Sequence, residues 1–226
     1  MSELKLNAIK EALKLIEDGN VIGLGSGSTI ELFIDEAYKK IAKEGWHIGF
    51  VPASSQTYLK LSSLGLRIES LDSYPELDIS FDGADEVDQR KYALKGRGAA
   101  LLREKIIASC SKKYIILVDE SKLSNKIGEK AKVAIEVLPF ALKPVILKLN
   151  KMGAEVQIRT GERLKDGPIV TDNGNYIIDA KFGIIENPKE LSEKINEIKG
   201  VIENGIFYEN ISEIIVGTKN GIMKIK

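Results

Sequence analysis

The chain has 226 residues, 43% of them hydrophobic, which is enough for one large domain or for a large and a small domain with a packed core. Its 33 basic and 33 acidic residues give a formal net charge of +0, so nothing in the charge balance favours nucleic acid or a membrane surface as a partner. With a single cysteine, Cys110, no signal peptide and no apolar run of transmembrane length, we expect a soluble cytoplasmic protein without a disulfide.

Strands and helices alternate in the first half of the chain. Leu6, Ile9, Leu13 and Ile16 recur at helical spacing and predict a first helix with one buried face. The next elements are predicted, in chain order, as strand 21–25, helix 29–43, strand 48–53, helix 54–64, strand 66–71, strand 77–81, helix 98–110 and strand 114–119. Because these strands are uninterrupted apolar runs, they predict a parallel sheet covered by helices on both faces, as in a Rossmann-like α/β domain.

The pattern changes near Glu129. The predicted elements from there are strand 133–138, helix 139–152, strand 154–159, a turn-rich strand segment 171–180 and helix 188–199. This β-α-β-β-α order predicts a second, smaller α+β domain of the ferredoxin-like type. Three further strands follow, and we expect some of them to return to the first sheet. The predicted domains are 1–127 plus 204–226, and 128–203, the smaller one being a candidate lid or oligomer interface.

Three polar motifs share one predicted location. GSGST follows the first strand, DGADEVD follows the fourth and DESK follows the fifth. Ligands bind beyond the carboxyl ends of the strands in open parallel sheets, so these three motifs predict the functional site.

The GSGST motif predicts an anion site. Gly25 and Gly27 let the backbone approach a ligand closely, and the hydroxyls with the N–H groups of the next helix suit a phosphate. The alternative is a tight turn with a helix cap. A dinucleotide fingerprint is excluded because Ser28 stands where its third glycine belongs, and no Gly-Lys-Ser/Thr of a P-loop follows.

The acidic motif predicts a site for hydroxyl groups. Its spacing does not match a calcium loop, and Gly83 disfavours a helical magnesium site. We expect Asp82 and Asp85 to accept hydrogen bonds from the hydroxyls of a sugar. The alternative is a solvated acidic loop, to which we assign Glu86 and Asp88.

The helix after Lys95-Gly96-Arg97-Gly98 carries a carboxylate on an apolar stripe. Glu104 has apolar residues at each three- and four-residue offset, unlike its neighbours. An apolar environment disfavours the charged form of a carboxylate, which suits a general base or acid. The alternative is a salt bridge on the helix surface. Lys95 and Lys122 can bring positive charge to the same edge, although Lys122 alone reads equally as a surface lysine.

The remaining special residues carry structural interpretations. His47 is the only histidine, which argues against a histidine-dependent triad and excludes a histidine-rich metal site, so we expect it to be structural or exposed. We expect Trp46 to lie in the core and Cys110 to be a small buried hydrophobe.

The motifs GLGSGST, DGADEVD, KGRGAALLREKI, DESK and TDNGN, in this order, closely resemble the type A ribose-5-phosphate isomerase family along nearly the whole chain. The resemblance implies interconversion of D-ribose 5-phosphate and D-ribulose 5-phosphate in the non-oxidative pentose phosphate pathway, without a metal or cofactor, by a homodimer or homotetramer. It implies that substrate is bound by Ser26, Gly27, Ser28, Thr29, Asp82, Gly83, Ala84, Asp85, Lys95, Gly96, Arg97, Gly98 and Lys122. The family often has three glycines after the lysine, and here Arg97 replaces the middle one.

The resemblance also implies the catalytic roles. Glu104 is the expected proton acceptor, moving a proton between C2 and C1 through a cis-enediolate, and Lys95 with loop N–H groups stabilises the developing charge. Asp82 and Asp85 position hydroxyls, and one of them is expected to help open the ring or move the oxygen-bound proton. Ser26 to Thr29 anchor the phosphate with help from Lys95 or Lys122.

Three other functions are weighed against this one. A nucleotide-dependent oxidoreductase is disfavoured by the broken glycine fingerprint. A sugar-phosphate sensor would lack the acid–base carboxylate and carry a DNA-binding segment, whereas Glu104 is present. An amino-sugar deaminase would need a histidine in the site, and His47 precedes the second strand.

Overall fold

The computed structural model describes residues 2–161 and 166–226, so Met1 and residues 162–165 of the predicted domains lie outside the described residues. In the described residues the helices are α1 (Ser2–Ala12), α2 (Ser28–Glu44), α3 (Ser55–Ser63), α4 (Leu101–Ser109), α5 (Leu142–Lys151) and α6 (Pro188–Asn196). The strands there are β1 (Val21–Leu24), β2 (Gly49–Pro52), β3 (Arg67–Ile68), β4 (Ile79–Gly83), β5 (Glu86–Val87), β6 (Ala93–Leu94), β7 (Tyr114–Asp119), β8 (Val133–Val137), β9 (Glu155–Ile158), β10 (Tyr176–Lys181), β11 (Val201–Asn204), β12 (Ile206–Phe207), β13 (Ile211–Thr218) and β14 (Gly221–Ile225).

The chain divides into two compact units. The first unit consists of three chain segments, Met1–Ala84, Arg103–Leu123 and Glu209–Lys226. The second unit consists of Asp85–Leu102 and Ser124–Tyr208.

The first unit contains a seven-stranded sheet in the order β14-β13-β7-β4-β1-β2-β3, in which only the edge strand β14 runs antiparallel to its neighbour. Every residue of β1 and β7 is buried, because apolar side chains cover both faces of the sheet. The predicted Rossmann-like parallel sheet is confirmed, and β13 and β14 return to it as expected.

The end of β4 and the start of α4 differ from the prediction. β4 continues to Gly83, so that Asp82 still pairs with Ile116 of β7 and the acidic motif begins inside the strand. α4 begins at Leu101 rather than near Gly98, because Ala99 adopts a left-handed backbone conformation with φ of 59°.

The second unit contains a four-stranded antiparallel sheet in the order β11-β8-β10-β9. With α5 after β8 and α6 after β10, the chain order is β-α-β-β-α-β, which is the ferredoxin-like arrangement that the sequence predicts. One face of this sheet carries the core residues Ile135, Val137, Ile178 and Ala180, against which Val145 of α5 packs.

A second small sheet, β12-β6-β5, was not predicted from the sequence. Its strands have two residues each, too short for an alternating or apolar run to reveal them. Because β6 pairs with β12, segment 85–102 belongs to the second unit. In the predicted division this segment is part of the first domain. The catalytic role of the large domain and the role of the small domain as a lid or oligomer interface stay predictions.

None of the helices in residues 2–161 and 166–226 is long and apolar enough to cross a membrane.

Candidate active site

Parallel pairing in the first unit brings the polar motifs to one edge of its sheet. Leu24 of β1 pairs with Phe81 of β4, and Gly83 of β4 pairs with Leu117 of β7. The loop after β1, the end of β4 and the turn after β7 therefore lie at neighbouring carboxyl ends, which is the usual ligand-binding edge.

Asp82 packs against the backbone of the loop after β1. A Cβ atom added to Gly25 would overlap the Asp82 carboxylate, so this approach requires glycine. Asp82 is 1% exposed, and its Oδ1 accepts a hydrogen bond of 2.8 Å from the N–H of Gly83. Its Oδ2 lies 3.4 Å from the hydroxyl of Tyr114, which is the donor. The alternative interpretation of a solvated acidic loop is thus wrong for Asp82, whose carboxylate is fixed at the edge of the sheet.

Tyr114 is fully buried beneath this edge. Burial raises the pKa of its phenol well above the ordinary value of 10.0, and the negative charges of Asp82 and Glu104 and the hydrogen bond to Asp82 raise it further. The phenol therefore stays protonated and remains a hydrogen-bond donor to Asp82 at alkaline pH.

This raised pKa predicts a pH-dependent stability. The unfolded chain releases the Tyr114 proton near pH 10 and the folded chain keeps it, so the free energy of unfolding is at its full value below about pH 10 and falls as the pH rises above it. Tyr114→Phe is expected to give a shallower fall between about pH 9 and pH 11 than the wild type, measured from urea unfolding curves. Tyr58→Phe, at an exposed tyrosine, is the control and should follow the wild type. Equal slopes for all three proteins would contradict this assignment.

Glu104 is held by the loop after β1. Its side chain is 3% exposed, and its Oε1 accepts a hydrogen bond of 2.5 Å from the Ser26 hydroxyl. The alternative interpretation of Glu104 as a surface salt bridge is therefore wrong. The apolar stripe on α4 correctly predicted its burial, with Leu101, Ile107 and Ala108 buried as well.

The N-terminus of α2 forms the rest of the loop. Gly27, with φ of 86°, precedes the helix, and its carbonyl accepts the N–H groups of Ile30 and Glu31 at 3.0 Å. Gly27 at the cap position has no side chain, so no capping side chain occupies the N–H groups in the first turn of α2. Thr29 faces Gly83, whose added Cβ would lie 3.5 Å from the Thr29 Cβ.

Lys5 brings to this helix end a positive charge that the sequence motifs do not indicate. Nζ of Lys5, in α1, donates a hydrogen bond of 3.1 Å to Oγ of Ser28. Lys5 is a polar position of an amphipathic helix, and only its contact across 23 residues of chain distinguishes it from other lysines. Together with the helix N-terminus, this ammonium group brings positive charge to the Ser28 hydroxyl, which suits an anion.

Lys122 lies at the same edge in a short 3₁₀ turn after β7. The turn is capped by Asp119, whose carboxylate accepts the N–H of Ser121 at 3.0 Å. Lys122 is half-buried. In residues 2–161 and 166–226, no hydrogen bond joins the Lys122 ammonium group to another candidate residue. The role of Lys122 in substrate binding stays a prediction.

The second unit holds the remaining candidate residues. Lys95 is 4% exposed; its N–H donates to the Gly205 carbonyl at 2.9 Å, and its ammonium nitrogen lies 5.3 Å from the centre of the Phe207 ring. An added Cβ at Gly205 would overlap the Lys95 carbonyl, so a glycine is needed beside this lysine.

Asp85 and the loop 95–98 are brought together in that unit. Oδ2 of Asp85 accepts the N–H of Arg97 at 3.2 Å. Arg97 and Gly98 are exposed, and Gly96 has φ of 107° whereas Arg97 is not among the residues with positive φ. A side chain at position 97 is therefore accommodated without backbone strain, although the family often has glycine there.

The prediction of a solvated loop is wrong for Glu86 and Asp88, since both are 0% exposed. The Glu86 carboxylate accepts four backbone N–H groups, from residues 128 and 131 at Oε2 and from residues 129 and 130 at Oε1. The Asp88 carboxylate pairs with the Arg90 guanidinium group, with Oδ2 and Nη2 2.7 Å apart. Acidic residues are rarely buried without such partners, so their burial could not be predicted from the local sequence.

The other special residues are structural. His47 is exposed, as predicted, and Trp46 packs half-buried against the main core, with Lys40 Nζ 4.6 Å from its ring centre. Cys110 is half-buried beside the cluster that contains Ile107, so it is less buried than predicted. No group of three or more His, Cys, Asp or Glu side chains in residues 2–161 and 166–226 is arranged to hold a metal ion.

The first unit thus has the architecture of a small-molecule-binding α/β protein, with buried carboxylates and a positive helix end at the carboxyl edge of a parallel sheet. Residues 49–221 match the model of the family described as ribose 5-phosphate isomerase A (phosphoriboisomerase A). The chain belongs to this family of aldose–ketose isomerases.

Individual relatives agree with that assignment. A ribose-5-phosphate isomerase A of Methanococcus aeolicus is 48% identical over 94% of this chain and 90% of its own length, and one of Pyrococcus abyssi is 46% identical over 100% and 99%. The solved ribose 5-phosphate isomerase A of Methanocaldococcus jannaschii superposes with a TM-score of 0.95 at 43% identity, covering 100% of this chain and 99% of the other. A solved D-ribose-5-phosphate isomerase in complex with phospho-erythronic acid gives a TM-score of 0.96 at 46% identity, covering 100% and 98%.

Proposed function

We propose that the protein interconverts D-ribose 5-phosphate and D-ribulose 5-phosphate, with Glu104 as the group that moves the proton between C2 and C1. The observation that carries this proposal is the buried Glu104 carboxylate, held by the Ser26 hydroxyl at the carboxyl edge of the sheet. A fixed carboxylate in an apolar environment suits proton transfer, which typically contributes about 10²–10⁴-fold to a rate. Membership of the isomerase family supports the substrate.

The reaction needs a carboxylate that serves two adjacent carbons. Glu104 removes the proton from C2 of the open-chain aldose, the electron pair forms the C1–C2 double bond, and the former carbonyl oxygen at C1 becomes the negative oxygen of a cis-enediolate. A proton then moves from the C2 hydroxyl to the C1 oxygen, and return of the proton from Glu104 to C1 forms the carbonyl at C2. Ser26 keeps one carboxylate oxygen in place during both transfers.

We assign the substrate phosphate to the N-terminus of α2. The hydroxyls of Ser28 and Thr29, the helix N–H groups and the ammonium group of Lys5 supply donors and positive charge suited to an anion, while the Ser26 hydroxyl in the same loop donates to Glu104. Lys122 is assigned an auxiliary role for the same phosphate.

We assign the sugar hydroxyls and the developing negative charge to the acidic residues and Lys95. Asp82, fixed by Gly83 and Tyr114, and Asp85, fixed by Arg97, are acceptors for hydroxyl groups. Lys95 supplies a positive charge for the enediolate oxygens. A similar solved D-ribose-5-phosphate isomerase is in complex with phospho-erythronic acid, whose carboxylate has two oxygens and a negative charge as an enediolate does, which supports this assignment.

Two expectations accompany this proposal and stay predictions. A cytoplasmic location would be checked by cell fractionation. A homodimer or homotetramer would be checked by light scattering of the purified protein, and a monomer mass would contradict it.

The small domain has exposed apolar side chains that could be covered in an oligomer, since Phe140 is 95% exposed and Leu138 44% exposed.

A proton NMR time course of ribose 5-phosphate in D₂O, with excess EDTA, tests the function. We expect ribulose 5-phosphate to appear with deuterium at C1, because the proton held by a carboxylate exchanges with solvent. Absence of conversion would contradict the isomerase, and substrate signals broadened without conversion would favour a sugar-phosphate sensor. Conversion with complete transfer of the C2 hydrogen to C1 would contradict the expected exchange of the proton held by Glu104 with solvent. Dependence on added metal would contradict the metal-independent reaction.

A further inference from the structure

We propose that Arg159, held by Asp179, is a positioning residue that fixes the peptides of the loop 95–98 and, through them, the Asp85 carboxylate. This inference rests on the proposed function, in which Asp85 and the loop contact the sugar. Neither Arg159 nor Asp179 belongs to the sequence motifs that predicted the site, and both lie in the second unit.

The two residues form a fork-shaped ion pair on the face of the four-stranded sheet that is opposite Ile178 and Ala180. Asp179 in β10 alternates with the core residues Ile178 and Ala180, so its side chain leaves the sheet on the opposite face. Nε of Arg159 donates to Oδ2 of Asp179 at 2.9 Å, and Nη2 donates to Oδ1. The two side chains are 19% and 20% exposed, so this bidentate pair is shielded from solvent and geometrically defined.

The third guanidinium nitrogen reaches the loop. Nη1 of Arg159 donates to the Gly96 carbonyl at 2.6 Å and to the Arg97 carbonyl at 3.0 Å. One planar group thus joins the sheet to two consecutive carbonyl groups. A lysine has no such fork and could not hold the aspartate and both carbonyls in one plane.

The loop has a conformation that needs such support. Gly96 has φ of 107°, and an added Cβ there would lie 2.7 Å from the Ala134 Cβ. Ala99 has φ of 59°, which is uncommon for a residue other than glycine, and its N–H also donates to the Gly96 carbonyl, at 3.0 Å. The Gly96 carbonyl is therefore the point at which Arg159 and the turn meet.

Fixing these carbonyls also fixes the N–H groups of the same peptides. The C=O and N–H of a trans peptide point in opposite directions, so holding the Gly96 carbonyl directs the Arg97 N–H, which donates to Asp85 at 3.2 Å. In the same way, holding the Arg97 carbonyl directs the Gly98 N–H away from Arg159. Arg159 thereby orients one hydroxyl acceptor and one backbone donor without contacting the substrate itself.

Steady-state kinetics of Arg159→Met test the proposal in an otherwise active enzyme. We expect kcat to fall about 10- to 100-fold, the scale of a misplaced reacting group, while the stoichiometry of phospho-erythronic acid binding measured by calorimetry stays that of the wild type. Millimolar guanidinium, added back, should restore part of the lost kcat. Arg159→Lys should recover little, because it keeps the charge and loses the fork.

A matched control is Arg90→Met. Arg90 also pairs with an aspartate, Asp88, and donates to a backbone carbonyl, that of Glu186, in the same unit. Its loss should lower stability and leave kcat of the folded enzyme within about twofold, which separates positioning from stability.

Asp179→Asn and the double variant extend the test if Arg159→Met folds poorly. Asp179→Asn should lower kcat in the same direction and by less, and Arg159→Met/Asp179→Asn should be no slower than Arg159→Met alone, since both act through one contact. Fully additive effects, or kcat within threefold of wild type for both single variants, would overturn the proposal. An inactive wild-type enzyme would instead overturn the proposed function.

Discussion

Glu104→Gln is expected to lower kcat by roughly 10²–10⁴-fold while binding of phospho-erythronic acid persists. The amide oxygen of glutamine can still accept the hydrogen bond from the Ser26 hydroxyl, so the side chain keeps its place and loses only the ability to take up a proton. The measurement is the initial rate of ribulose 5-phosphate formation together with calorimetric binding of the acid.

Glu36→Gln is the matched control for this experiment. It makes the same carboxylate-to-amide change on α2 of the same unit, where Glu36 pairs with Lys39 at 2.6 Å on the surface. Its kcat should equal that of the wild type. A folded Glu104→Gln enzyme with kcat within threefold of wild type would remove Glu104 from the reaction.

Glu86→Gln is expected to cost at least about 3 kcal/mol of unfolding free energy, because two charge-assisted hydrogen bonds are lost inside the protein. Each Glu86 oxygen accepts two backbone N–H groups, at 3.0 and 2.9 Å for Oε2 and at 3.1 and 3.2 Å for Oε1. In the variant, an NH₂ group must face two of these donors. Urea unfolding of the purified proteins measures the difference.

Glu193→Gln serves as the comparison for that experiment. Glu193 lies on the exposed side of α6 in the same unit, 3.9 Å from Lys189, and its replacement should change the unfolding free energy by no more than about 0.5 kcal/mol. If Glu86→Gln and Glu193→Gln unfolded at the same urea concentration, the buried carboxylate would not support the segment 128–131.

The sequence predicts those parts of the molecule whose signals are local. The predicted ends of β7 are those observed, because a run of five apolar residues followed by Asp119 is typical of a strand covered on both faces. Glu104 was predicted because the apolar stripe that buries it lies within one turn of its own helix. The same holds for the loop after β1, whose glycines and hydroxyls are adjacent in the chain.

Contacts between distant segments account for the features that were missed. Glu86 was assigned to solvent because the N–H groups that bury it come from a segment more than 40 residues away. Lys5 and Arg159 act through partners on other elements, 23 and 20 residues distant, and neither has a distinctive neighbourhood in the sequence. Of the two-residue strands, β5 pairs with β6 and β6 pairs with the distant β12, and no local periodicity indicates either pairing.

The three-segment construction of the first unit has a consequence for biosynthesis. β13 completes the sheet beside β7, yet Ser124–Tyr208, the longer segment of the second unit, is translated between these two strands. A nascent chain therefore carries β7 as an unpaired apolar edge until the ribosome releases the last segment, while the second unit can already fold. Slow, late closure of parallel pairing is expected for such distant strands. Chaperone dependence of the newly made protein would follow from strand order alone.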